Sequence, residues 1–67
     1  MMKCAVFVKI DGVLHSTNIS EETHRLIRDG LILKNKMMRW FLAEVVKSCG
    51  SLTEENILKY MGEKWVL

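Results

Sequence analysis

Few residues in this chain could do covalent chemistry. His15 and His24 are its two histidines, and Cys4 and Cys49 its two cysteines. An activated nucleophile needs a Ser or Cys, a base and an orienting carboxylate that converge. No Ser/Cys–His–Asp arrangement is readable around either histidine. Cys4 and His15 fall on one face if both lie on paired strands, but neither C-x₂-C nor H-x₃-H spacing accompanies them. Two cysteines are also too few for the disulfide framework of a small secreted domain, so both are read as reduced, buried thiols. Phosphate-cradling loops of the P-loop or G-x-G-x-x-G type are absent. The expectation is a non-enzymatic protein with no catalytic residue, metal, cofactor or small-molecule substrate.

One segment nevertheless suggests an enzyme family. Ala5-Val6-Phe7-Val8-Lys9-Ile10-Asp11-Gly12-Val13-Leu14 resembles the first motif of haloacid-dehalogenase-type phosphatases, an apolar strand followed by D-x-D-G-[TV]-[LV]. In that family the first Asp is the nucleophile that becomes phosphorylated, and the second is the general acid/base. Asp11 matches the second position, but Lys9 stands at the first. A lysine offers no carboxylate to the phosphoryl group or to Mg²⁺, so the resemblance brings no activity with it. The same residues read equally well as two strands joined by an Asp-Gly turn.

Binding groups are better represented. Residues 25–39 carry Arg25, Arg28, Lys34, Lys36 and Arg39 against Asp29, a net +4, while the segments on either side are each −1. Lys36, Arg39 and Lys47 share a helical stripe bordered by Trp40. Cations beside an aromatic can grip phosphates and stack a base. The step Lys47-Ser48-Cys49-Gly50-Ser51-Leu52-Thr53 resembles the break between the helices of winged-helix and related regulators, which implies DNA binding. The helix that would enter the groove carries Glu54, Glu55 and Glu63 against Lys59 and Lys64, an unfavourable balance for DNA.

These groups must be positioned by short elements. Cys4–Ile10 and Val13–Ile19 are rich in β-branched residues and flank Asp11-Gly12, the signature of a type I′ hairpin. A two-residue loop sets Ile10 opposite Val13, Val8 opposite His15, Val6 opposite Thr17 and Cys4 opposite Ile19 on one inner face. The outer face then holds Ala5, Phe7, Lys9, Leu14, Ser16 and Asn18. A helix over 20–29 follows, capped by Ser20 or Asn18, with Leu26 and Ile27 inward. Gly30 is its expected left-handed C-terminal residue, with Leu31 closing onto Leu26. Leu31-Ile32-Leu33 reads as a short third strand or a buried connector. A second helix, 36–48, is capped by Asn35 and ended by Gly50. Its apolar stripe is Met38, Phe41, Leu42, Val45 and Cys49, widened by Met37, Trp40 and Val46. Ser51 to Glu54 forms an S-x-x-E capping box for a last helix, 52–61, with Ile57, Leu58 and Met61 inward and Gly62 as its end. The tail Trp65-Val66-Leu67 is apolar.

Composition agrees with this outline. At 67 residues, 49% apolar and 27% charged, the chain suits one small α+β domain, an N-terminal β-hairpin packed against three short helices. Its net +2 does not demand nucleic acid or an acidic membrane. The apolar run at Cys4–Val8 is too short for a signal h-region of about 7–15 residues, and a cytoplasmic location is expected with no membrane partner. A chain of this size buries only roughly 60% of its unfolded surface. Yet the apolar residues exceed what one small core can hold, which marks an interaction site. The expected function is therefore protein–protein binding by a small regulatory protein, most simply as a homodimer, through Phe7, Leu14, Met37, Trp40 and Trp65. The alternative is a nucleic-acid-binding regulator that uses Arg25, Arg28, Lys34, Lys36, Arg39 and Lys47. Compact chains without recognisable chemistry are also common among viral and mobile-element accessory proteins.

Overall fold

The Asp11-Gly12 turn determines the first third of the fold. Both residues sit at positive φ, 49° and 81°, the pair of values that a type I′ turn requires. In the computed structural model, which describes residues 2–65, this turn joins β1 (Lys3–Ile10) to β2 (Val13–Ser20) in an antiparallel hairpin. The register is the one the two-residue loop dictates, from Ile10 opposite Val13 to Cys4 opposite Ile19. Val6, Val8 and Ile19 are buried on the inner face. Ala5, Phe7, Lys9, Leu14, Ser16 and Asn18 all lie exposed on the outer one.

Ser20 ends β2 and caps α1 (Glu21–Lys34), its hydroxyl accepting from the Thr23 N–H at 3.2 Å. Glu21 and Glu22 occupy the first turn, where the helix dipole favours acids. The helix does not stop at residue 29 as expected. It runs through Gly30 and takes in 31–33, which are neither a strand nor a connector. Its left-handed terminator is Asn35, at φ 54° and ψ 47°, one of the few non-glycine types that tolerate this region. The Asn35 N–H donates to Ile32 O and the Lys36 N–H to Leu31 O. This is the Schellman pairing anticipated at Gly30, displaced five residues along the chain. The buried stripe of α1 is Thr23, Ile27 and Leu31, spaced four apart, so Leu26, expected inward, is exposed together with Ile32 and Leu33.

Asn35 is thus committed to closing α1 and cannot cap the next helix. That helix, α2 (Met38–Cys49), starts two residues later than expected, with Met37 at its N-cap and no side-chain hydrogen bond. Phe41, Leu42 and Val45 form its buried stripe, and it touches β1, α1 and α3 (Glu54–Tyr60). Gly50, at φ 90°, ends α2 as anticipated, its N–H donating to Val46 O. Thr53, not Ser51, caps α3, accepting from the Asn56 N–H at 3.0 Å. Ser51 instead receives the Asn56 side-chain amide. Leu58, expected inward, is exposed. Gly62 does not end the helix either; a π-helical turn, Met61–Trp65, carries Trp65 back to the core.

The result is a small α+β domain, an N-terminal hairpin covered on its inner face by helices. Phe41 lies at the centre, edge-on to Tyr60 at 5.6 Å and tilted against Trp65 at 4.6 Å between ring centroids. No helix among the described residues is long and apolar enough to cross a membrane.

Candidate functional site

The structure divides the eleven expected binding residues into separate places. Phe7 and Leu14 stand on the outer hairpin face, 67% and 63% exposed. They are diagonal neighbours, since Phe7 opposes Ser16 and Leu14 opposes Lys9. Met37 and Trp40 lie elsewhere, beside the α1–α2 connector. Trp65 is not a surface residue: only 8% exposed, it packs on Phe41 and against Gly30, and so belongs to the core. The expectation that it forms an interface fails because the π-helical turn folds the tail inward. Val66 and Leu67 lie outside the described residues.

The basic residues divide in the same way. Arg25 sits among Glu21, Glu22 and Asp29 on the outer side of α1. The Lys34 ammonium lies over the Trp65 ring, 5.4 Å from its centroid, which assigns it to the core's edge. Lys47 is on the last turn of α2, about 12 Å along the axis from Arg39 at 1.5 Å per residue. Lys36 and Arg39, by contrast, converge with a residue the sequence reading left out, Lys9. All three rim a groove of about 420 Å³ whose walls include Val8, Met37, Trp40 and Ala43. The Lys36 ammonium lies 5.4 Å from the Trp40 ring centroid. A second groove of about 440 Å³, between Arg28, Ile32 and Met38, shares Asn35 and Lys36 with the first. Lys9 is far from 36–39 in sequence, and only the packing of α2 on β1 brings it there.

The cations that rim the first groove are uncompensated, whereas Arg28 of the second is paired with Asp29. Among the described residues, ion pairs within 4.0 Å join Lys3 to Glu54 and Arg28 to Asp29. Lys9, Lys36 and Arg39 have no carboxylate partner there. The first turn of α2 adds no acid and has no side-chain cap, so its positive end is also unopposed.

Glu54 has a different role from its expected one in a capping box. Its Oε2 accepts from the Ser20 N–H at 3.0 Å and from the Thr23 hydroxyl at 2.7 Å, while Oε1 lies 3.6 Å from the Lys3 ammonium. The backbone N–H of Ser20, then the Thr23 hydroxyl, hold its carboxyl at about 2, below the usual 4.5. This carboxylate therefore ties α3 to the junction of the hairpin and α1. It is not part of an acidic surface on α3.

No constellation for catalysis is assembled among these groups. His15 is half-buried opposite Val8, and Cys4 is four strand positions away, about 13 Å at 3.3 Å per residue. Cys4 and Cys49 are free thiols, and the Cys49 thiol lies 3.8 Å from the Asn56 carbonyl oxygen. Among the described residues, the expected binding groups gather mainly on an apolar hairpin face and a basic, aromatic-walled pair of grooves. Compared with protein-family models, curated proteins and solved structures, the chain matches none.

Proposed function

We propose that the protein is a non-enzymatic regulatory or interaction protein and that it self-associates through the outer face of its hairpin. The supporting observation is the exposed Phe7–Leu14 pair, on a face that no helix covers. A second copy suits this face because a two-fold axis brings the same apolar pair from each side. The free thiols of Cys4 and Cys49 suit a reducing, cytoplasmic setting.

Size limits the strength of this contact. Strands of eight residues span about 26 Å, and two of them about 10 Å across. Such a footprint lies below the ~1,200 Å² of total burial that stable interfaces reach, so association should be weak and reversible. Sedimentation across a wide concentration range should show a monomer–dimer equilibrium in the micromolar range. Phe7→Thr with Leu14→Thr should abolish it while the hairpin stays folded, because both side chains are exposed and threonine suits a strand. A wild-type chain that stays monomeric at several hundred micromolar would sink this reading.

A further inference from the structure

We infer that the two grooves flanking the α1–α2 connector bind a single-stranded nucleic acid, with Trp40 as the stacking platform and Lys9, Lys36 and Arg39 on the phosphates. Charge complementarity carries the argument. Three cations from two distant parts of the chain converge on one groove, and none has a carboxylate within 4.0 Å among the described residues. Converging like charges repel one another, so a protein with no anion to bind would gain by pairing or dispersing them. The groove wall is the half-buried indole of Trp40, already partnered by a cation, with Met37 beside it. Aromatic walls with cationic rims are how proteins hold unpaired bases and their backbone.

The shape points to a strand in preference to a lone anion. The second groove continues from the first through Asn35 and Lys36 and carries Arg28 on its wall. Together they form a track of two compartments with cations along it. Each is of the size that ligand pockets usually have, about 300–1,000 Å³. Duplex DNA fits less well. The helix that would enter its major groove, α3, presents Glu55, while Glu63 follows in the π-helical turn, both exposed. A concave slot also admits a base only when that base is unpaired.

The test uses fluorescence anisotropy of short labelled oligothymidylate and oligouridylate, with a duplex and a polyglutamate peptide as competitors. Three phosphate contacts predict a slope of about −2 in log K against log salt for a single strand, about a 20-fold loss between about 50 and about 200 mM. Lys36→Glu with Arg39→Glu should remove binding, and since both residues are exposed the fold should survive. Trp40→Ala should weaken binding about tenfold or more, and Trp40→Phe should restore most of it. Phe7→Thr with Leu14→Thr, which removes the apolar pair without placing a charge opposite Lys9, should leave the affinity and the salt slope unchanged, which separates this site from the dimer. The inference is overturned if neither strand binds at about 50 mM salt, if the charge reversals bind as well as wild type, or if duplex or polyglutamate competes equally.

Discussion

Replacing Gly30 with alanine should destabilise the protein, although alanine is the better helix former. Gly30 lies inside α1, where alanine normally gains about 1 kcal/mol. Here a Cβ would meet the six-membered ring of Trp65 at 2.3 and 2.7 Å, closer than any packed carbon. The ring cannot slide inward, because Phe41 stands 4.6 Å away between centroids. It must leave its slot, at least in part. Losing a buried tryptophan completely costs about 3–5 kcal/mol, and overpacking typically about 1–3. Gly30→Ala should therefore lose a net ~1–3 kcal/mol. Trp65→Ala should lose ~3–5, a large part of the ~3–10 kcal/mol that a chain of this length holds in all.

The decisive form of this prediction is the double mutant. The three atoms nearest the missing Cβ all belong to Trp65. Once Trp65 is alanine, the clash is gone and only the helical preference remains. Gly30→Ala should then change sign and stabilise the Trp65→Ala background by up to about 1 kcal/mol. Urea unfolding of the wild type, both single mutants and the double mutant measures this coupling. Additive effects would mean that the glycine serves the helix backbone and not the indole.

Gly30 also shows which parts of the fold were legible in the sequence and which were not. Glycine meets two different needs, a positive φ and room for a close neighbour, and local sequence does not distinguish them. At Gly12 and Gly50 the need is positive φ, which is a local property, and both elements end where expected. At Gly30 the need is room for a residue 35 positions away, so the helix runs on to Asn35. The hairpin was readable to the residue because turn type and side-chain alternation are both local and together determine register. The candidate site was half readable. Lys36, Arg39 and Trp40 lie within five residues of one another, across the connector and first turn of α2, whereas Lys9 reaches them only through tertiary packing. The apolar surplus was real at Phe7 and Leu14, but at Trp65 it was core.

Acid should open this protein at one joint before the rest of its core fails. The Glu54 carboxyl sits at about 2 in the folded chain and near 4.5 when free of its partners. The folded state therefore holds fewer protons than the unfolded one between those values. Stability from this group is complete above about pH 4.5 and is lost as pH falls toward 2. The joint is specific. Ser20 N–H, the Thr23 hydroxyl and Lys3 all turn to this carboxylate, so protonation releases α3 from both the hairpin and α1. The caps of the two helices survive, because Ser20 and Thr53 each serve their own N-termini without Glu54. Glu54→Gln retains the size and one acceptor but has no proton to take up. At pH 7 it should melt below the wild type, and the gap should close steadily as pH falls from 4.5 to 2. Melting curves that stay parallel across that range would show that the carboxylate's charge contributes nothing to the joint.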